Sequence, residues 1–375
     1  MVESDSPFGT APVSDVPIVS ESESSQPVEE QSTTSTPDTA TPAADAAARP
    51  QPVSIGQIIV AQLESLRAYH QAVLETDDPE AIHKMRVTTR RLQASLDLLQ
   101  ENGDEFHVRK IKKRLRKWRR SLSRVRNYDV FLSLIEQERP ARNAAHKRRF
   151  ELLKSILHDR RAHIAQKSRA FLQGAIIDDL AARLGITLID PPPDSPLAES
   201  IEHTDGEATI EAARGLKFDE KKTIIRITER LEQRLGEFQA LAAQAHPTTD
   251  PDELHQLRIA AKRLRYLLET ISEMGFGSAT QALAWLRALQ DRIGDWHDLE
   301  AMEEEILSIT TRRKFVKKHM ADTIQMLQSA AHLQKKKDAL ISKMFPIVVP
   351  NTVTGASYRL ARSLRRHQRK LSAGS

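Results

Sequence analysis

The chain contains no cysteine, which excludes a disulfide framework, a thiolate metal site, an iron–sulfur cluster and a cysteine nucleophile. Aromatic residues make up only 5% of it, little for a protein that would hold single-stranded nucleic acid by base stacking. No run approaches the roughly 18 apolar residues of a membrane-spanning helix. The acidic N-terminus lacks the basic and apolar regions of a signal peptide. Glycine is scarce and forms no phosphate-cradling loop; neither G-x-x-x-x-G-K-[ST], G-x-S-x-G nor H-E-x-x-H occurs. These absences lead to the expectation of a soluble, intracellular protein that is not an enzyme and needs no cofactor or resident metal.

What is present is charge, unevenly spread. The 375 residues carry a net charge of +5, but residues 1–50 hold nine acids and a single base, Arg49, for −8, so the remainder carries +13. A strongly basic body calls for an anionic partner: nucleic acid, a membrane surface or a phosphate polymer. With 39% hydrophobic residues the body has material for a core. Residues 1–53, rich in Ser, Thr, Pro, Asp and Glu, do not, and read as a disordered acidic tail.

From Ile55 the pattern is helical almost throughout, dominated by Ala, Leu, Arg, Lys, Gln and Glu. Helices are expected over about 54–76, 79–101, 105–137 and 140–174, forming a first four-helix unit within 54–190. The proline-rich stretch Asp190–Pro196 opens a linker, 191–216. A second unit within 217–345 takes helices over about 217–245, 251–274, 278–310 and 313–345. Residues 346–375 are a basic tail, whose Tyr358–Arg366 stretch has helical spacing but reads as a frayed terminus. Two helix starts have the same form, Asp78-Pro79 and Asp250-Pro251, an N-cap acid followed by proline at the first helical position. From there Pro79–Leu92 aligns with Pro251–Leu264 at an offset of 172 residues. The fold class is therefore all-α, with two pseudo-symmetric four-helix bundles related by internal duplication.

The repeated helix carries the first candidate site. Ile82, Met85, Leu92, Leu96 and Leu99 share its core face. Beside them His83, Arg86, Arg90 and Gln93 fall within about 80° of arc. In the second copy His255, Arg258, Lys262 and Arg265 take the same angles. Like charges at i,i+4 are unfavourable on a helix, so a ridge of this kind in both copies implies an anion opposite it. A histidine beside phosphate would hold its proton more tightly and become a further donor.

The second is the helix after it. Eleven cations and no acid lie between Arg109 and Arg126, around an apolar stripe of Val108, Ile111, Leu115, Trp118, Leu122 and Val125. Lys112, Arg119 and Arg126 flank that stripe and can line a groove, and Arg116 is counted with them. Lys113, Arg120 and Arg124 lie on the far, solvated face.

Two other chemistries compete. Glu80-x-x-His83 and Asp252-x-x-His255 have the carboxylate-x-x-His spacing of di-metal bundles, but these acids sit in a helical first turn, which favours them anyway. Arg86 and Arg90 would repel a metal ion. A phosphotransfer histidine bundle is a further alternative, against which Val87 and Ile259 leave no small residue to open the site.

These motifs resemble the CHAD family, the conserved histidine α-helical domain. The resemblance lies in Ile82-His83-Lys84-Met85-Arg86-Val87 with Arg90-Arg91-Leu92, and in Leu254-His255-Gln256-Leu257-Arg258-Ile259 with Lys262-Arg263-Leu264-Arg265-Tyr266. Arg126-Asn127-Tyr128-Asp129-Val130 and Leu289–Gly294 resemble its secondary motifs, and the likeness spans roughly 54–345. It implies two four-helix bundles around a basic channel that binds inorganic polyphosphate. His83, Arg86, Arg90, His255, Arg258, Lys262 and Arg265 would be the ligands, with association to cytoplasmic polyphosphate granules. Gln93 replaces an expected cation and weakens one contact; Asn127 replaces an expected Asp and implies looser helix packing. Many relatives fuse a catalytic domain marked by an E-x-E-x-K strand. Glu21-Ser22-Glu23-Ser24-Ser25 lacks the lysine, so the chain reads as a binding module alone. Polyphosphate has closely spaced charges and no bases, which suits rows of Arg and Lys without stacking aromatics. Non-specific nucleic-acid binding through phosphate contacts is the alternative. The sequence gives no oligomeric state.

Overall fold

A computed structural model describes residues 53–99, 105–137, 144–188, 219–246 and 250–373. The expectations for the acidic tail up to residue 52 and for the linker 191–216 lie outside the described residues. Every element among the described residues is a helix. They are α1 (Ile55–Glu75), α2 (Pro79–Leu98), α3 (Glu105–Gln137), α4 (Ala144–Gln173) and the short α5 (Ile177–Ala182), then α6 (Glu220–Gln244), α7 (Pro251–Glu273), α8 (Thr280–Thr310), the short α9 (Arg313–Lys318), α10 (Met320–Met344) and α11 (Asn351–Ala373). The fold is all-α, as the composition and periodicity require.

The helix starts are fixed by side chains that satisfy otherwise orphaned backbone N–H groups. The Asp78 carboxylate accepts hydrogen bonds from the N–H groups of Glu80 (2.9 Å) and Ala81 (3.1 Å). Asp250 accepts from Asp252 N–H at 2.8 Å, and proline follows at the first helical position in both cases. Ser54 and Gln57 form a reciprocal capping box at α1.

Helix α2 packs against α1 and α3, and α4 against α3 and α1. In the second half α7 packs between α6 and α8, and α10 lies along α8. The segment read as a frayed terminus is the 23-residue helix α11. It buries Val353, Ala356, Leu360, Ala361 and Leu364 against α6 and α8, so α6 is packed by α11 as extensively as by α7, and not by α10. The helix expected over 313–345 is interrupted at His319, whose ring stacks on Phe315 and whose Nδ1 lies 3.5 Å from Asp322.

The described residues form one compact unit. One large core runs through both halves and includes Met85, Leu92, Leu115, Leu257, Leu264 and Leu268. A second, smaller core gathers Phe131 and Leu157 with Met302, Ile306 and Met326. The halves meet where α2 packs on α7 and α3 on α8. That contact decides where the two basic ridges go.

Candidate functional site: a half-buried cationic cluster between α2, α3, α7 and α8

The apolar stripes of α2 and α7 are fully committed to the core, with Met85, Leu92, Leu257 and Leu264 all buried. Each helix is thereby locked in rotation, and its polar ridge is turned toward the other half. The charges acting on each ridge confirm the arrangement. Arg258 of α7 is among the cations that depress the Arg86 guanidinium of α2. Arg90 and Arg86 in turn act on Lys262. The structure thus brings Arg86, Arg90, Arg258 and Lys262 together.

From α3, Arg126 acts on His83 and Arg86, and Arg119 acts on Arg86. Gln93 stands where a cation was expected. Its Oε1 accepts a hydrogen bond of 2.7 Å from Arg119, so it steers a cation instead of supplying one. Arg116 is exposed but close enough to act on Arg119. His255 is exposed at the other end, its ring 5.6 Å from that of His297 on α8.

Two sequence-predicted residues are otherwise engaged. Lys112 pairs with Asp97 of α2, one turn beyond Gln93 on the ridge face. Arg265 lies 3.3 Å from Glu269 and 4.8 Å from the centre of the Tyr266 ring, although its charge still reaches Lys262. Glu269 is buried and also meets Arg287 at 3.2 Å and Arg91 at 3.7 Å. It ties α7 to α8 and, across the halves, to α2.

The remaining cations have no such partners. Among the described residues no carboxylate forms an ion pair with Arg86, Arg90, Arg126, Arg258 or Lys262. Arg86 Nε, Arg258 Nε and His83 Nδ1 are buried without any hydrogen-bond partner. Each such atom forgoes solvation that nothing replaces, typically about 1–3 kcal/mol and more for a charged group. The titration behaviour carries the same strain. Burial, reinforced by Arg258, Arg90 and Arg86, pushes the Lys262 ammonium down to about 6. Burial with Arg90 and Arg126 pushes Arg86 down to about 9. The imidazoles of His83 and His255 lie below the usual histidine range, the first through burial and Arg126, the second through burial and His297.

Sequence reasoning missed the contribution of α8. Asp298 is half-buried and faces Arg258, and burial raises its carboxyl above the usual range despite that cation. Asp295 is raised by burial and by its neighbours Asp298 and Asp291. The three acids at 291, 295 and 298 have i, i+4, i+7 spacing on one helix face, a pattern that was available in the sequence. Gly294, the last residue of the secondary motif Leu289–Gly294, has a role the motif did not state: a methyl group there would touch the Arg258 guanidinium at 3.4 Å, so its bare backbone is the surface on which Arg258 rests. Asn127 is exposed, so the packing that its replacement of Asp was expected to loosen does not depend on it. No group of three or more His, Cys, Asp or Glu able to hold a metal occurs among the described residues, and His83 is ringed by arginines. No described helix is long and apolar enough to cross a membrane.

With this geometry in hand, comparison with known proteins is informative. The chain is similar to the crystal structure of the CHAD domain from the plant Ricinus communis, with a TM-score of 0.50 and 21% identity, covering 84% of this chain and 96% of that one. It also aligns with PptA from Streptomyces chartreusis at 12% identity and a TM-score of 0.41, covering 83% of this chain and 99% of that one. No curated protein matches. The family profile of the CHAD domain matches residues 57–307, a stretch that begins in α1, ends in α8 and holds both ridges, and the chain belongs to the CHAD family.

Proposed function

We propose that the chain binds inorganic polyphosphate in the channel between its two halves and does so without chemical change to the polymer. The observation that carries this reading is the set of half-buried cations with no ion-pair partner, Arg86, Arg258 and Lys262 above all, drawn from both halves toward one space, with the Nε atoms of both arginines buried and without a hydrogen bond. A protein that only needed to fold would fill that space with apolar side chains, which are as stable as a buried charge set or more so. An anion with closely spaced charges supplies the missing partners. Guanidinium groups hold phosphate oxygens through paired hydrogen bonds, and Lys262 adds a point charge.

The half-burial of the ridge cations favours a slim, base-free chain over a stacked duplex, and Tyr266, whose ring lies 4.8 Å from Arg265, is itself buried and offers no open face to a base. The acids of α8 facing Arg258 leave the second half of the channel less positive than the first, so the polymer is held chiefly by α2 and α3. Recruitment to polyphosphate granules follows from the same affinity.

The test is binding of labelled polyphosphate, with duplex DNA as competitor, to the natural protein and to Arg86→Ala/Arg90→Ala/Arg258→Ala/Lys262→Ala. Tight binding that resists DNA and collapses in the variant is the expected result. Displacement by DNA at equal charge would reduce the site to a general polyanion binder, and undiminished binding in the variant would refute the site.

A further inference from the structure

Helix α11 lies beyond the matched stretch of the family profile, which ends at residue 307, and its chemistry is unlike that of a helix that merely closes a bundle. It contains no acid in 23 residues, while Arg359, Arg362, Arg365, Arg366, Arg369 and Lys370 are all exposed. Of these, Arg365 is drawn to Glu232 of α6, and the neighbouring His367 lies 3.4 Å from Glu220. The others have no carboxylate partner among the described residues. Three pairs, Arg362–Arg366, Arg365–Arg369 and Arg366–Lys370, place like charges at i,i+4, which opposes the helix in isolation.

The helix forms because its other face is anchored. Val353, Leu360 and Leu364 are buried, Gln239 donates a hydrogen bond of 3.2 Å to the Thr354 hydroxyl, and Phe276 packs edge-on to His367 with ring centres 5.2 Å apart. The bundle therefore holds a row of cations rigidly in water along about 16 Å of helix. The row is separate from the channel: the charges acting most strongly on the channel groups belong to α2, α3, α7 and α8.

We propose that this outer face of α11 is a second polyanion-binding surface, which holds another segment of polyphosphate while the channel holds the first. The identity of the polymer rests on the reading of the channel given above; the presence of the surface does not. Most apolar residues of α11 are spent on α6 and α8; Tyr358, 63% exposed among the cations, is too little apolar surface to seat a helix in a lipid layer, and a membrane is disfavoured as the partner. An exposed, solvated row binds more weakly and with more dependence on salt than a buried one. Its effect is valency: a protein with two separate sites links polymer segments and condenses them.

The test compares the full chain with a helix variant, Arg359→Gln/Arg362→Gln/Arg366→Gln/Arg369→Gln, and a channel variant, Arg86→Gln/Arg258→Gln. Anisotropy of a labelled short polyphosphate reads the tight site, and light scattering with long polyphosphate reads linkage. The helix variant should melt with the natural protein and bind the short probe within about two-fold, yet lose the scattering maximum near charge balance. Scattering equal to that of the natural protein would overturn the proposal. So would scattering that depends on α11 but is as strong with duplex DNA or phosphatidylserine vesicles, since the surface would then belong to another partner. Short-probe binding that survives in the channel variant would instead overturn the channel reading and leave the surface of α11 standing.

Discussion

Replacing Lys262 with methionine should make the free protein more stable while weakening its grip on polyphosphate. The ammonium has an unperturbed value of 10.5 and is pushed down to about 6 in the folded chain. A base whose folded value is lowered binds fewer protons folded than unfolded between those two values. Stability therefore rises with pH across that window, and the full deficit is present below about 6. At pH 7 the gap of 3.5 units below 10.5, at about 1.36 kcal/mol each, sets an upper limit of about 5 kcal/mol. Side-chain relaxation and counter-ions reduce this to on the order of 1–3 kcal/mol. Methionine keeps an unbranched apolar stem and removes the charge. At roughly 2–4 °C per kcal/mol for a chain of this size, the variant should melt about 2–12 °C higher at pH 7. The difference should shrink at pH 10, which lies close to the unfolded value of 10.5, so that little free energy is lost in deprotonating the side chain on folding. Calorimetry in phosphate-free buffer at both pH values measures it. Added polyphosphate should raise Tm of the natural protein more than that of the variant. A variant that melts below the natural protein without polymer would refute the reasoning, because Lys262 would then be a structural group.

Other predictions concern different links of the same account. Bound phosphate restores protons to Lys262, His83 and His255, whose values are lowered in the free protein. Affinity should therefore rise from pH 8 to pH 6, and titration calorimetry in buffers of different ionisation enthalpy should report net proton uptake. Asp298→Asn removes the carboxylate that faces Arg258, so short polyphosphate should bind roughly 3–10-fold more tightly, as for a change in a partly screened charge contact. Leu264→Ala hollows the fully buried stripe that aims the α7 ridge, and urea unfolding should show a loss of about 2–5 kcal/mol. Arg161→Met strips the buried Asp129 of its partner at 2.5 Å and breaks the 2.6 Å contact to Asp77, and the same assay should show a loss of about 3–5 kcal/mol.

The parts of this structure that were legible in the sequence are those set by local periodicity. Asp78-Pro79 and Asp250-Pro251 announce their helices because capping chemistry is confined to four residues. The ridges on α2 and α7 follow from 100° per residue once the leucines define a core side. What was not legible depends on partners distant in sequence. Lys112 has the right register on α3 to line a groove, but nothing local says that Asp97 on the adjoining helix takes it. The i,i+4 pairing of Arg265 with Glu269 was readable and was overlooked, whereas nothing local says that Arg91 and Arg287 converge on the same carboxylate. The basic terminal segment gave no sign of its place beside α6, since amphipathic spacing says that a face is buried and not against what. The acids of α8 were readable in principle and were overlooked because they lie in a helix whose cations are few.

The central claim is that the two ridges line one site. Titration calorimetry of a short oligophosphate into the natural protein, Arg86→Gln, Arg258→Gln and the double variant tests it most directly. One tight site per chain is predicted, weakened roughly 10–100-fold by either single change, the loss of one charge-assisted contact. The double variant should show an effect that is not the sum of the two. Two independent sites, with each substitution abolishing one and leaving the other intact, would contradict the account.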